Sequence, residues 1–454
     1  MSLLREARSA IEALTPVDIW GQVQAARGPL IEAVGLGGLA PVGSPCAIAR
    51  PGRPDLTGEV IGFQSGSTLL LLHHEPHGVA PGAPVRLIRR ADPRPCASWL
   101  GRVVDAFGRP LDATARGQLL AGETPYPLQG RPPAAFARRR VGPRIETGIK
   151  AIDTILPLCR GQRLGVFAGS GVGKSSLLAM LARHVAVDVI VIGLIGERGK
   201  EVNEFLEDTL GPAGLARAVT VVAASDERPL VKRQAARLTL SVAEFFRDRG
   251  QQVLCLFDSI TRFAEAQREI GLAAGEPPTT RAFPPSTFSE MAALLERAGP
   301  GLRGDAQGDI TAVFSVLVQG GDMDEPVADA VRAILDGHVV LERAIAERGR
   351  FPAIDVLKSV SRALPACHSA AENALALATR KAVADYEAMA TMIRIGAYRA
   401  GSDVDTDRAI RLRPELEGFL AQAIAERVAQ RESFADLGRI MAIDDREKDP
   451  GDPA

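Results

Sequence analysis

Residues Ala168-Gly169-Ser170-Gly171-Val172-Gly173-Lys174-Ser175 set three glycines, a lysine and two hydroxyls within one short run. They follow the apolar stretch Arg163-Leu164-Gly165-Val166-Phe167 and precede Ser176-Leu177-Leu178-Ala179-Met180-Leu181, which is the order of strand, glycine-rich loop and helix. Such a loop wraps backbone N–H groups around phosphate oxygens, and the helix N-terminus adds partial positive charge. In this pattern Lys174 reaches the β- and γ-phosphates and the Ser175 hydroxyl ligates Mg²⁺. Ala168 stands where the usual pattern has glycine. The chemistry indicated is binding and cleavage of a nucleoside triphosphate.

Phosphoryl transfer to water needs more than a phosphate grip: a second metal-holding acid, an oriented water and charge neutralisation at the γ-phosphate. Val253-Leu254-Cys255-Leu256-Phe257-Asp258 offers the acid, five apolar residues of a buried strand ending in a carboxylate that can hold Mg²⁺. An acid at that place also serves commonly as a helix cap, so its weight comes from its pairing with the loop upstream. A second apolar strand, Val189 to Gly196, runs into Glu197-Arg198-Gly199-Lys200. Glu197 there is placed to accept a hydrogen bond from the attacking water, and Arg198 to neutralise transferred charge. Alone, the same four residues read equally well as a charged surface turn.

The elements that must position these groups emerge from patterning. At 454 residues the chain calls for two or three domains. An apolar fraction of 46% supports well-buried cores, and a net charge of −1 gives no global pull toward nucleic acid or anionic membrane. Five widely spaced cysteines read as reduced core thiols of a cytosolic protein. No apolar run is long enough to span a bilayer. His73-His74-x-x-His77 reads as a polar turn. Residues 1–15 form a short amphipathic helix with Leu4, Ala7, Ile11 and Leu14 on one face, ended by Pro16. Residues 21–92 are short β-like runs cut by Gly and Pro, a small barrel or sandwich. With Phe63 as its one aromatic and six Arg against five acids, this stretch lacks the stacking platform of a single-strand nucleic-acid binder. Residues 93–145 read as a Pro/Gly/Arg-rich connection in which Arg138-Arg139-Arg140 is solvated. From 146 onward, strands at Arg163–Phe167, Val187–Ile195, Ala218–Ala223, Gln252–Phe257 and Ile310–Val318 alternate with helices, a βα core with a mainly parallel sheet. Helices over 371–395 and 406–441 follow, separated by a Gly/Asp loop, and the end from Asp444 reads as disordered.

Several of these runs resemble the rotary ATPase superfamily, which contains F- and V-type catalytic subunits and the ATPases of type III export. They are Gly196-Glu197-Arg198-Gly199, Asp258-Ser259-Ile260-Thr261-Arg262-Phe263 and Pro352 to Arg362, with Gly101 to Pro110 and Thr147 to Asp153 outside the core. Within that group, Ala264 to Pro278 and Asp329 to His338 resemble the export branch, and Lys358-Ser359-Val360-Ser361-Arg362 leans toward its flagellar members. The resemblance implies a multidomain α/β chain: a partner-binding helix in 1–20, a β-barrel over 21–92, a RecA-like P-loop core over 93–369 and a C-terminal helical domain over 370–454. It implies that Glu197 is the catalytic glutamate, that Arg198 and Arg262 lie near the γ-phosphate, and that Phe351 stacks on adenine. It also implies that Arg362 is a finger donated to the neighbouring subunit's nucleotide. The loop Gly396 to Asp403 lacks the acidic run of F-type catalytic subunits, which argues against coupling to the same rotor.

The function so implied is a cytoplasmic, Mg²⁺-dependent ATP hydrolase that energises flagellar protein export as a homohexamer, peripherally associated with the inner membrane. Its implied partners are a stator-like negative regulator on the N-terminal helix, a coiled-coil stalk in the ring pore, a membrane export gate, and export substrates with their chaperones, with no nucleic acid. The alternatives are a virulence (injectisome) secretion ATPase, the catalytic subunit of a proton-translocating synthase, and a nucleic-acid translocase on a similar core.

Overall fold

The computed structural model describes residues 18–89, 91–112, 117–304 and 306–442. The expected helix of 1–15 and the tail from 444 lie outside the described residues. By contact density the chain divides into two units. One ends its first stretch at Asp92 and includes Arg228–Arg233 and Glu265–Thr287; the other holds Pro93–Glu227, Gln234–Ala264 and the chain from Phe288 onward.

In the first unit β1 (Trp20–Arg27), β2 (Leu30–Val34), β3 (Pro45–Arg50), β4 (Arg53–Gln64), β5 (Ser67–Leu72) and β6 (Pro84–Leu87) close an antiparallel barrel in the order β1-β2-β5-β4-β3-β6. Leu70 and Leu72 point inward with Ile31, Ile48 and Val60. Leu69 and Leu71 face outward and are covered with Ile61 by Leu230 and Ile270. Both faces of β5 are therefore buried, which is why its sequence is a continuous leucine run and does not alternate. Glu59, buried in β4, is paired at 2.6 Å with the equally buried Arg233; a charge so placed must have a partner.

The second unit is built on β7 (Arg102–Val104), β8 (Arg163–Ala168), β9 (Val189–Glu197), β10 (Ala218–Ala224), β11 (Val253–Asp258), β12 (Ile310–Leu317), β13 (Gly337–Leu341) and β14 (Ile354–Ser361). Their order is β14-β13-β8-β12-β11-β9-β10-β7, parallel throughout except for antiparallel β14. The central strands bury both faces, as their unbroken apolar runs require. The helix Lys174–His184 lays Leu177, Leu178 and Leu181 against this core. Strands β7, β13 and β14 add to the five read from the sequence. β7 is only three residues long, and β13 and β14 pair with each other across a break in register, so neither leaves a clear period.

Two expectations change. Arg138 and Arg139 are not solvated. Arg138 donates to the carbonyls of Pro133, Ala298 and Glu296, and Arg139 pairs with Asp309 at 2.8 Å and donates to the carbonyls of Gln307 and Gly308. Apart from Pro133, these acceptors lie far along the chain, so the sequence around the triple cannot announce them. The helical stretch 406–441 is also not continuous. It comprises Val404–Leu420 and Gln430–Met441, and the residues between them leave the helix. There the Gln422 N–H donates to the Phe351 carbonyl at 2.8 Å. The Gln422 side chain donates to the Gly148 carbonyl at 2.7 Å and accepts from the Lys150 N–H at 2.9 Å. Backbone partners in the nucleotide core outweigh local helix propensity.

The long helix Ala370–Arg394 opens with a reciprocal cap: Ser369 Oγ accepts from the Glu372 N–H, and Glu372 Oε2 accepts from the Ser369 N–H at 2.8 Å. Arg144 adds an ion pair to Glu372 at 3.0 Å. Burial works to raise this carboxyl, but the Ser369 N–H and Arg144 prevail and hold it down at about 2. Because the folded value lies below the unfolded one, the stabilisation is complete above the ordinary 4.5 and is lost as pH falls toward 2. Glu372→Ala is expected to cost about 0.5–2 kcal/mol at neutral pH. Thermal melts should show the gap from the parent chain narrowing across that acid window.

Candidate nucleotide site

β8 ends at Ala168, and the chain turns through Gly169, Ser170, Gly171, Val172 and Gly173 before the helix begins at Lys174. Gly171 and Gly173 have φ of 77° and 99°, a left-handed backbone that a side chain disfavours. Gly173 is the N-cap and supplies no side-chain cap, so the first-turn N–H groups face the loop as anion donors. Ser175 is exposed at this mouth.

Lys174 is buried, and its Nζ lies 2.5 Å from Asp258 Oδ1 and 3.2 Å from Glu197 Oε1. Asp258 ends β11 and Glu197 ends β9. Asp258 pairs in register with Leu194, so Glu197 projects beyond it toward the mouth. Ser315 on β12, between β8 and β11, donates to Asp258 Oδ1 at 2.6 Å. Burial opposes the Lys174 charge, yet Asp258 and Glu197 outweigh it and hold the ammonium above its usual range. Gly196, at φ 76°, leaves room for the Arg262 side chain: a Cβ there would lie 2.8 Å from Arg262 Cβ and Cγ. Arg262 therefore runs alongside the strand end that carries Glu197.

Phe351 lies on the other flank of the loop, with its ring edge 3.6 Å from where a Cβ on Gly173 would sit and 48% of its surface exposed. The structure thus gathers the loop, Lys174, Ser175, Glu197, Asp258, Arg262 and Phe351. Two of the expected residues are not gathered. Arg198 turns outward, its side chain 81% exposed and 3.7 Å from Glu201. Arg362 follows β14, which runs antiparallel to its neighbour. Its N–H donates to the Asp336 carbonyl, and Asp336 in turn accepts from the Arg163 N–H at the start of β8. The whole six-residue length of β8, about 20 Å, separates it from its own loop.

Three residues here had no signal in the sequence. Ser315 fixes Asp258, Gln422 fixes the Phe351 backbone, and Arg343 donates to the Ser170 carbonyl at 3.0 Å from the helix that follows β13. Each acts on a partner distant in the chain, so spacing alone could not mark it; that β13 pairs with β8 places Arg343 beside the loop.

A parallel sheet with a glycine loop at a strand end, a lysine on its helix and acids on two further strands defines a P-loop ATPase with a RecA-like core. The ATP synthase alpha/beta family, nucleotide-binding domain, matches residues 148–361, and the T3SS EscN ATPase C-terminal domain matches residues 368–439. The "Flagellum-specific ATP synthase" of Caulobacter vibrioides is 53% identical over 442 residues, covering 96% of this chain and 99% of that protein. The assembled ATPase EscN of the enteropathogenic E. coli type III secretion system superposes with a TM-score of 0.84 at 36% identity, covering 93% of this chain and all of that one. EscN in complex with its central stalk EscO gives 0.82 at the same identity and coverage. The chain belongs to the type III export ATPases of the ATP synthase alpha/beta family, with the flagellum-specific ATP synthases among its relatives. It is an ATP-hydrolysing enzyme of flagellar protein export.

Proposed function

We propose that the chain cleaves ATP at sites completed between subunits of a homohexameric ring. Lys174 and the amides of 169–175 would grip the phosphates, Glu197 would orient the attacking water, and Arg262 would lie beside the transferred charge. Arg198, exposed at the same strand end, would swing toward the γ-phosphate. Phe351 would stack on adenine. The observation that carries this reading is the division of the machinery: grip, acid and base at one end of the sheet, and Arg362 at the other, out of reach of its own nucleotide.

The donors at the mouth suit Mg²⁺: a hydroxyl on Ser175 and a carboxylate on Asp258, hard oxygens beside a phosphate cradle. When bound there with ATP, the ion neutralises charge on the β- and γ-phosphates. Lys174 would exchange its two carboxylates for phosphate oxygens, which leaves Asp258 free toward the metal and Glu197 free toward water. Around this engine we place the finer assignments. By analogy with EscN and EscO, a coiled-coil stalk would stand in the pore. A stator-like regulator would bind the N-terminal segment, substrates with their chaperones would reach the C-terminal helices, and the ring would sit on the cytoplasmic side at the membrane export gate.

Specific ATPase activity measured against protein concentration tests the shared site. A steep rise over the range where light scattering reports assembly is the expected result. Equal specific activity for single chains and assemblies would overturn it. The injectisome reading draws on the EscN likeness; which stator-type protein co-purifies with the chain separates the two.

A further inference from the structure

We propose that Gln422 is a positioning residue for base recognition, through which the C-terminal helical segment sets the grip of Phe351 on the adenine ring. This rests on the reading that Phe351 stacks on adenine. Phe351 lies between the helix Arg343–Glu347 and β14 and belongs to neither. Its anchor comes from much later in the chain. The Gln422 N–H donates to the Phe351 carbonyl at 2.8 Å. One residue earlier, the buried Arg350 pairs at 3.0 Å with Glu417 of the helix Val404–Leu420. Two successive residues at the aromatic ring are thus tied to the end of one C-terminal helix and the turn that follows it.

That turn is itself fixed to the frame of the phosphate loop. Gln422 is buried, and its Nε2 donates to the carbonyls of Gly148 at 2.7 Å and Glu426 at 2.9 Å while its Oε1 accepts from the Lys150 N–H at 2.9 Å. Both amide hydrogens and the oxygen are engaged. The Gly148 carbonyl takes a second bond, from the Val428 N–H at 3.2 Å. On the core side, Asp153 accepts from the Thr147 N–H and hydroxyl at 2.8 and 2.7 Å and from the Gly148 N–H at 2.9 Å. His184 ends the helix that Lys174 begins, and its Nε2 lies 3.1 Å from the Ile424 carbonyl. Residues 421–429 therefore hold the core at Gly148, Lys150 and His184, and hold the Phe351 backbone from the same turn.

The consequence falls on the base and spares the phosphates. Lys174, Glu197 and Asp258 contact one another without Gln422. Leu416, Phe419 and Leu420 stay packed in the core whatever stands at 422. Without the amide, the Phe351 backbone loses its rigid reference to the loop, and a recognition group works only when held to a fraction of an ångström.

Equilibrium binding of ATP and of tripolyphosphate to the full chain, at one Mg²⁺ concentration, tests this. Tripolyphosphate offers the phosphates without the base. Phe351→Ala, the reference, should weaken ATP about 5–150-fold, the range for a base that loses its aromatic partner, and leave tripolyphosphate unchanged. Gln422→Ala should weaken ATP at least about fivefold and leave tripolyphosphate within about twofold. Gln422→Met keeps the volume and loses the hydrogen bonds, so it should match Gln422→Ala. In hydrolysis the KM for ATP should rise by the same factor, with kcat near that of the parent chain. Parent-like ATP affinity in both Gln422 variants, beside a weakened Phe351→Ala, would overturn the positioning role alone. Parent-like affinity in Phe351→Ala would remove the stacking reading and the proposal with it. Equal losses of ATP and tripolyphosphate in the Gln422 variants would reduce the residue to a structural stitch and overturn the proposal as well.

Discussion

Glu197→Gln should bind ATP about as well as the parent chain and turn it over about 10²–10⁴-fold more slowly. The amide keeps the shape of the side chain and an oxygen for Lys174, so the pocket stays assembled. It can no longer take a proton from water. The fold is spared as well, because Asp258 remains to neutralise Lys174 at 2.5 Å. Nucleotide binding by fluorescence and hydrolysis in a single turnover separate the two effects. Parent-like hydrolysis would remove Glu197 from the chemistry, and loss of binding would make it part of the grip.

Arg362→Ala should retain ATP and lose about 10³–10⁵ in the rate of the assembled form, the range for a finger supplied in trans. A simple structural role for this arginine is weak. Among the described residues it has no carboxylate partner, and its guanidinium meets the Arg332 carbonyl at 3.5 Å. Removing it leaves no buried acid stranded, so the melting temperature should barely move. The sharper measurement mixes two inactive variants. A Glu197→Gln chain carries an intact finger, and an Arg362→Ala chain carries an intact site. Mixed assemblies should therefore recover activity that neither variant has alone. If mixing restores nothing while both variants assemble, the finger does not act across the interface.

Much of this site could be read from the chain, for a physical reason. A phosphate loop needs backbone geometry that glycine alone supplies easily, and Gly171 and Gly173 stand where φ is positive. Asp258 and Glu197 end apolar strands whose burial is itself written in unbroken hydrophobic runs. The antiparallel barrel was open to two readings, because turn signals and short strands serve a sandwich equally well. What could not be read were side chains whose partners are distant backbone carbonyls. Arg343 on the Ser170 carbonyl, Arg139 on those of Gln307 and Gly308, and Gln422 on that of Gly148 follow no period. The interruption between Leu420 and Gln430 has the same origin, since tertiary contacts there prevailed over a sequence that reads as helix.

The lysine clasped between Asp258 and Glu197 also bears on how the engine resets. An empty pocket with one bare cation would hold on to inorganic phosphate after each stroke and stall. With Lys174 as the proposed phosphate grip, the two carboxylates beside it would compete for that cation once the γ-phosphate is severed, and would favour departure of the products. Entry of fresh substrate would in turn break that clasp. Under that proposal the cycle would be biased against lingering with spent nucleotide, a property that suits a motor whose neighbours wait for it to empty.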